Sequence, residues 1–256
     1  MKVQFADSHL HLNPRLTLQN AFSNALTEID RSNVLETLLI TTPYDNWKFK
    51  EIASKAANQN KIHLIRYIDM SGNFQVIENQ IREASELGAL GIKFHPRIGK
   101  FNLEAPNFLQ AMELANELKL LVILCTFWDG AWNRYQLETK HFANTADLFP
   151  STNFIWAHAG GHKILDFMMM ARRRENVYLD TSFTQHYFFS GNVFEDLLYS
   201  ISSLNSRCLF GTDFEERDYY KMSEQMIIKY RQAIIDDTTL ENFLSKNLRK
   251  LLAVYE

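Results

Sequence analysis

Cysteine, glycine and proline are all scarce in this chain of 256 residues. Its two cysteines, Cys125 and Cys208, are too few for a disulfide scaffold and are typical of a reducing compartment. Nine glycines and five prolines exclude a linker-rich or disordered chain. With 27 basic and 30 acidic residues, the net charge of −3 provides no basic field that would attract nucleic acid or an anionic membrane. We therefore expect neither of these among its partners.

Long hydrophobic runs are missing as well. The longest strongly apolar stretch, residues 120–125, is far shorter than the roughly 20 residues that span a bilayer. The first ten residues, MKVQFADSHL, lack the apolar core of a secretory signal. A hydrophobic share of 46% and a charged share of 22% are ordinary for a globular protein. We therefore expect a soluble, cytoplasmic α/β enzyme or a relative of one.

Short apolar runs rich in β-forming residues recur along the whole chain. Eight of them are predicted as strands, at residues 3–9, 37–42, 63–69, 90–95, 121–126, 153–158, 177–181 and 207–213. Segments with helical spacing lie between most of these runs, for example at 49–60, 74–87, 106–118 and 164–173. Because parallel strands need a crossover connection, this alternation predicts a parallel sheet.

A polar residue stands near the C-terminal end of each predicted strand, and successive ones are 22 to 33 residues apart. Each step has the length of one strand–helix unit, so the eight units predict a (β/α)8 TIM barrel, with residues 1–256 in a single domain. A doubly wound open sheet is the alternative. The lack of a glycine-rich fingerprint after the first strand disfavours its dinucleotide-binding version. Apolar residues at helical spacing predict a C-terminal helix over 240–254 that packs on the barrel.

The first predicted strand ends in alternating polar and apolar residues. Because side chains alternate along a strand, Asp7, His9 and His11 are expected on one face and Leu10 and Leu12 on the other. Two imidazoles at this spacing can bind one metal ion together. They can equally be polar groups that hydrogen-bond to their neighbours at a strand end.

Other strand ends add candidate ligands. His95, His158 and Asp213 end the fourth, sixth and eighth predicted strands, at the edge where a (β/α)8 barrel gathers its active site. Imidazole and carboxylate together are the ligand set of a catalytic zinc or a similar divalent ion. Such an ion activates water and polarises a carbonyl group, which favours hydrolytic chemistry.

Six motifs in this order resemble a known family over nearly the whole chain: DSHLHL at 7–12, GIKFHP at 91–96, WAHAGG at 156–161, LDTS at 179–182, FGTDF at 210–214 and FLSKNLRKLL at 243–252. The chain resembles the amidohydrolase superfamily. The similar branch contains metal-dependent TIM-barrel hydrolases and the relatives of aminocarboxymuconate-semialdehyde decarboxylase. The resemblance implies one divalent ion, zinc as the first choice, held by His9, His11 and Asp213. It also implies that His158 is a metal ligand or an acid/base group, and that Asp213 or His158 takes the proton of the attacking water.

Cys125 departs from the family pattern. Relatives usually carry a histidine at the end of strand five, where this chain has Cys125. A thiolate can bind zinc, so Cys125 is a candidate ligand. The alternative is a small buried residue that fills the core, as free cysteines often do. Some relatives in this branch work without a metal.

Several residues near the strand ends are candidates for binding substrate. Lys93 could hold an anionic group or form a salt bridge with Asp7, Asp69 or Asp180. His95, two residues later, is a further candidate for binding substrate. Arg97 could clamp a carboxylate. Aromatic residues at 127–135, including Trp128, and at 183–189 favour a flat or partly apolar substrate. The alternative for these aromatic segments is packing against a partner subunit, which leaves a homodimer open.

Three functions follow from these residues. The first is metal-dependent hydrolysis of an amide, ester or lactone in a small, anionic substrate. The second keeps the fold and replaces hydrolysis with non-oxidative decarboxylation of an aromatic or unsaturated acid. The third is a degenerate barrel that binds a ligand without turnover. A phosphoesterase ranks lower, because such sites usually contain more carboxylates at the later strand ends.

Overall fold

Strands and helices alternate throughout the computed structural model, which describes residues 4–130, 137–213, 218–234 and 236–255. The strands are β1 Phe5–Leu10, β2 Val34–Ile40, β3 Ile62–Tyr67, β4 Gly91–Phe94, β5 Leu121–Cys125, β6 Phe154–Ala157, β7 Val177–Asp180 and β8 Cys208–Leu209. The helices are α1 Leu18–Arg31, α2 Phe49–Ala56, α3 Phe74–Glu86, α4 Pro96–Gly99, α5 Pro106–Glu117, α6 Thr139–Leu148, α7 Ile164–Ala171, α8 Thr184–Tyr187, α9 Val193–Ser203, α10 Tyr219–Ala233, α11 Asp237–Glu241 and α12 Asn247–Leu252. A 3-10 turn covers His158–Lys163, and a π-helical turn, Asn242–Lys246, joins α11 to α12.

The eight strands form one parallel sheet in sequence order, β1 to β8. The ring closes where the last strand meets the first: Ser8 N donates to Phe210 O at 2.9 Å, and Asp213 N donates to His9 O at 2.8 Å. This confirms the predicted TIM barrel and rules out the open doubly wound sheet. Parallel strands point the same way, so their C-terminal ends gather at one mouth. The assignment of residues 1–256 to one domain stays a prediction.

The predicted strand positions are right, but their ends differ. The last strand is the clearest case: β8 covers two residues where 207–213 was predicted, and its continuation turns at Asp213, whose φ of 54° is left-handed. The predicted first strand began at Val3, which lies outside the described residues, as does Phe214 in the last motif. The turn at Asp213 aims this side chain at β1 instead of continuing the sheet.

Two apolar layers hold the barrel together. Inward-facing side chains such as Leu38, Ile123 and Ile155 fill its interior, and outward-facing ones pack under the helices. The C-terminal helix is confirmed, from α11 through the π-helical turn to α12. Leu251 and Leu252 of α12 join the interior layer. Leu248 does the same, so α12 covers the end of the barrel away from the strand C-termini. Of the helices in the described ranges, none combines the length and apolarity needed to cross a bilayer.

Truncating a leucine of α12, where this helix covers the end of the barrel, should lower the stability of the whole fold. We expect Leu251→Ala to lower the free energy of unfolding by about 2–5 kcal/mol, because the fully buried Leu251 leaves a cavity beneath the barrel. Val254→Ala, at a residue that is 67% exposed, is the matched control and should change stability by less than about 0.5 kcal/mol. Urea denaturation measures both. Equal stability of the two variants would contradict the role of α12.

Candidate active site

His9 and His11 each use one ring nitrogen for a structural hydrogen bond. His9 Nδ1 lies 2.8 Å from Asp180 Oδ2, and His11 Nδ1 lies 2.7 Å from the carbonyl oxygen of Ile40. Both partners accept hydrogen bonds, so we infer that Nδ1 carries the proton in each ring and Nε2 has a lone pair. Burial, with a further contribution from the charge of Lys93, lowers the pKa of His9 to about 3. His9 is therefore neutral, as a metal ligand must be.

Asp213 joins these two imidazoles. Its Oδ1 lies 3.3 Å from His9 Nε2 and 3.3 Å from His11 Nε2. In a tetrahedral zinc site with bonds of about 2.0–2.1 Å, neighbouring ligand atoms are about 3.3 Å apart. These two imidazole nitrogens and the carboxylate oxygen are all lone-pair donors, and no proton lies between them. Such a group of donors favours a cation at its centre. The residues therefore fit one divalent ion, and the prediction that these three residues come together is confirmed.

The side chain of Asp7 does not point in the direction that the sequence predicted. The β1–β2 pairing shifts register on both sides of Asp7, which breaks the simple alternation along the strand. Its carboxylate accepts hydrogen bonds from Thr212 N at 2.9 Å, Thr212 Oγ1 at 2.7 Å and Tyr219 Oη at 2.8 Å. Asp7 thus faces Tyr219 of α10, and the expectation that it shares a face with both imidazoles is wrong. Burial raises the pKa of Asp7 to about 6 despite these hydrogen bonds.

Asp180, at the end of β7, is the main site residue absent from the sequence-based candidates. Besides His9, its carboxylate accepts hydrogen bonds from Ser8 Oγ at 2.9 Å and from Ser182 N at 2.9 Å. Burial alone raises the pKa of Asp180, but its contacts with His9 and Ser182 outweigh that effect and lower the pKa. A Cβ on Gly211 would lie 2.5 Å from Asp180 Oδ1, so only glycine leaves room for this carboxylate. The LDTS motif at 179–182 was the available signal.

His158 reaches the same mouth through a left-handed backbone. Its φ of 67° turns the chain directly after β6, and Nδ1 lies 3.1 Å from the carbonyl oxygen of Ser182. The ring centroid is 4.9 Å from that of His9. Burial alone lowers the pKa of His158, but its hydrogen bond with Cys125 and the charge of Asp213 outweigh burial and raise the pKa. His158, His9 and Asp180 also form a second cluster of metal-ligand type.

Cys125 is near the metal-ligand cluster of His9, His11 and Asp213 but is not one of its members. It ends β5, is buried, and hydrogen-bonds with the imidazoles of His95 and His158. Burial alone raises the pKa of the thiol, but these two imidazoles outweigh it and hold the pKa well below its usual range. Neither cluster of convergent ligand atoms includes Cys125. Its place as a metal ligand stays a prediction, and its observed partners are the two histidines.

A cavity of about 230 Å³ opens next to His11, His158 and Asp213. Its lining also includes Lys93, His95 and Arg97, all three predicted to bind substrate. Lys93 Nζ lies 2.8 Å from His9 Nε2, a partner that the sequence did not predict. Arg97 Nη1 lies 3.1 Å from Asp129 Oδ2. The cavity therefore combines two cations with the metal-ligand cluster.

Aromatic rings line the cavity as well, although not all the predicted ones. Phe127 and Phe183 stand beside His158, with ring centroids 6.2 and 5.9 Å away, and Tyr44 and Tyr67 add phenol groups that the sequence did not single out. Trp128 is not in the lining. Its ring meets His162 edge-on at 4.8 Å and lies 4.9 Å from Lys163 Nζ. Residues 131–135 of this predicted aromatic segment lie outside the described residues.

Residues 64–254 match the family model described as amidohydrolase. The chain belongs to the amidohydrolase family. This match covers most of the barrel and includes His158 and Asp213, while His9 and His11 precede it. Comparison with curated protein sequences gave no match.

Solved structures share the fold at low sequence identity. An uncharacterised TIM-barrel protein from Bordetella bronchiseptica has a TM-score of 0.77 at 16% identity, covering 99% of both chains. A probable 2-pyrone-4,6-dicarboxylic acid hydrolase from Acinetobacter baumannii, with citric acid bound, has a TM-score of 0.69 at 13% identity, covering 99% of this chain and 100% of the other. A 5-carboxyvanillate decarboxylase from Sphingomonas paucimobilis has a TM-score of 0.64 at 15% identity, covering 90% and 82%. At these identities the likeness shows the fold alone, and the two named reactions, hydrolysis and decarboxylation, differ from each other.

Removing the carboxylate that orients His9 should weaken metal binding. We expect Asp180→Asn to lower zinc affinity about 10- to 100-fold, because an amide no longer holds the Nδ1 proton as a carboxylate does. Asp166→Asn, at an exposed position on α7, is the control and should leave the affinity unchanged. Titration against a chromophoric chelator gives both dissociation constants. Unchanged affinity in Asp180→Asn would contradict an orienting role for this carboxylate.

The thiol of Cys125 can be tested in the same assay. Since Cys125 lies outside both ligand clusters, we expect Cys125→Ser to keep zinc affinity within about threefold of the wild type. The substitution retains a small hydrogen-bonding group between His95 and His158. Loss of bound zinc in this variant would make Cys125 a ligand, as the family pattern suggests.

Proposed function

We propose that this protein is a metal-dependent hydrolase that cleaves an amide, ester or lactone bond in a small, carboxylate-bearing substrate. The observation that carries the proposal is the convergence of His9 Nε2, His11 Nε2 and Asp213 Oδ1 next to a cavity. Family membership supports it. The neighbour named a probable 2-pyrone-4,6-dicarboxylic acid hydrolase supports it as well.

His9, His11 and Asp213 would hold the ion, with zinc as the first choice. When bound, a divalent ion lowers the pKa of water to about 7 and polarises a substrate carbonyl. Asp213 has a second carboxylate oxygen and a partly exposed side chain, so it can accept the proton of the attacking water. His158, whose raised pKa favours the protonated ring, can donate a proton to the leaving group.

The two cations that line the cavity, Lys93 and Arg97, support an anionic substrate. Arg97 Nε is buried and has no hydrogen-bond partner among the described residues, while its Nη1 contacts Asp129. A substrate carboxylate would satisfy this unpaired donor. Lys93 and His95 add polar contacts along the same wall. The neighbour with bound citric acid supports a carboxylate-bearing ligand in a barrel of this kind.

A second candidate is decarboxylation of an aromatic or unsaturated acid. The observation that favours it is the position of His158, which faces Phe127 and Phe183 in the cavity and whose raised pKa favours the protonated ring. Protonation of a carbanion after loss of carbon dioxide needs such a donor next to a flat ring. The neighbour named 5-carboxyvanillate decarboxylase supports this alternative.

A homodimer and a cytoplasmic location stay predictions.

Substitution of the ligands should abolish turnover and metal binding together. We expect His11→Ala and Asp213→Ala to lose bound zinc and to lower kcat/KM at least about 100-fold against a panel of carboxylate-bearing lactones, esters and amides. His63→Ala, at the far end of β3, is the control and should retain both. Metal content is measured by elemental analysis.

Water labelled with oxygen-18 separates the three functions. One labelled oxygen in the product identifies hydrolysis, whereas carbon dioxide release without label in the organic product identifies decarboxylation. Tight binding of panel members with neither reaction, by metal-loaded protein, would reject catalysis and leave a binding barrel. Full zinc content in both ligand variants would reject the proposed metal site.

A further inference from the structure

The single lone pair of His9 Nε2 can take part in two different interactions, a hydrogen bond from Lys93 and a bond to a metal ion. Lys93 Nζ lies 2.8 Å from this atom, close enough to donate a hydrogen bond into the lone pair. The proposed metal site needs the same lone pair, as one of its three ligands. His9 cannot offer its other nitrogen, because Nδ1 is bound to Asp180. A hydrogen bond from Lys93 and a bond to a metal ion therefore exclude each other.

The surrounding residues hold the His9 ring in place, so it cannot rotate to satisfy both partners. The ring is fully buried, and its neighbours on two sides are the rings of His11 and His158, with centroids 5.0 and 4.9 Å away. A rotated ring would lose its hydrogen bond to Asp180, and both groups are fully buried, so the loss is costly even though Ser8 and Ser182 still bind the carboxylate. When a metal ion binds, it is Lys93 that has to move.

We propose that Lys93 is an internal competitor for the metal site and that an anionic ligand in the cavity releases it. This inference rests on the proposed function in one respect, the metal site at His9, His11 and Asp213. Lys93 is 4% exposed, so the displaced ammonium does not simply turn into water. It lies in the lining of the cavity, where a ligand carboxylate can receive it.

Charge balance gives the direction of the coupling. A divalent ion held by His9, His11 and Asp213 would stand close to the ammonium of Lys93, and the nearby carboxylates are those of Asp213 and Asp180. Positive charge then exceeds negative charge in a buried space, which opposes metal binding. An anion bound beside Lys93 reduces this excess and draws the ammonium away from His9. Because coupling between two binding sites is reciprocal, metal and anion should each strengthen the binding of the other.

The first experiment compares zinc affinities without any anionic ligand. We expect Lys93→Met to bind zinc about 10- to 100-fold more tightly than the wild type, since a charge-assisted hydrogen bond no longer competes. Lys93→Gln, also uncharged, should show the same direction. Arg97→Met is the matched control, because it removes the same charge from the same cavity at a residue that contacts Asp129. It should change zinc affinity less than about threefold.

The second experiment adds benzoate, a flat carboxylate suited to this small cavity and a weak ligand for zinc. Saturating benzoate should strengthen zinc binding by the wild type about 5- to 50-fold, and should have little effect on Lys93→Met. Isothermal titration calorimetry at one fixed pH measures both affinities, and the reverse titration of benzoate with and without zinc checks the reciprocity. Circular dichroism verifies that each variant is folded.

Three results would overturn the proposal. The first is equal zinc affinity in the wild type and both Lys93 variants. The second is an equal gain in Arg97→Met, which would mean that net charge alone acts. The third is the same benzoate effect in the wild type and in Lys93→Met, which would mean that benzoate binds the metal directly. None of these measurements involves turnover. If the protein proves not to be a hydrolase, the competition between Lys93 and zinc can still be tested. If that competition is absent, hydrolysis can still be tested.

Discussion

The buried imidazole of His9 is held at both ring nitrogens, by Asp180 at Nδ1 and by Lys93 at Nε2. Neither contact can be exchanged for one with water, because all three side chains are buried. The position of the ring sets where Asp213 and His11 can meet it, and so where a cation is stabilised. A neutral ring between a carboxylate and an ammonium is also polarised in one direction, with its lone pair toward the cavity side. The candidate chemistry depends most on the contact with Asp180, which fixes the ring, while the contact with Lys93 occupies the nitrogen that a metal ion would use.

The closed ring of strands is what brings these groups together. His9 lies on β1, Lys93 on β4 and Asp180 on β7, more than eighty residues apart along the chain. Parallel pairing in sequence order puts their C-terminal ends at one mouth, while α12 fills the other end with leucines. The barrel is therefore divided along its axis into an apolar part that supplies stability and a polar part that holds buried charge. Left-handed residues at His158 and Asp213 provide the turns that the polar part requires.

The mixture of charges distinguishes this site from a plain cluster of ligands. A histidine expected from the family pattern is replaced by Cys125, which hydrogen-bonds with His95 and His158. The neighbouring cations, Lys93 and Arg97, offset the carboxylates and leave one guanidinium donor without a partner among the described residues. We therefore expect a site of this composition to favour anionic ligands, since they would complete both the hydrogen bonds and the charge balance.

Sequence alone was enough for the barrel, for the C-terminal helix and for the convergence of His9, His11 and Asp213, because strand–helix periodicity and residue spacing are local properties that recur in every unit. It did not reveal that Asp7 turns toward Tyr219, that Asp180 orients His9, or that Lys93 contacts His9. Trp128 likewise packs on Lys163 instead of lining the cavity. These outcomes depend on a register shift in β1, on the space left by Gly211 and on distances between strands. Tertiary structure alone decides them, because a hydrogen-bond partner is selected by angles and distances of a few tenths of an ångström that no residue pattern specifies.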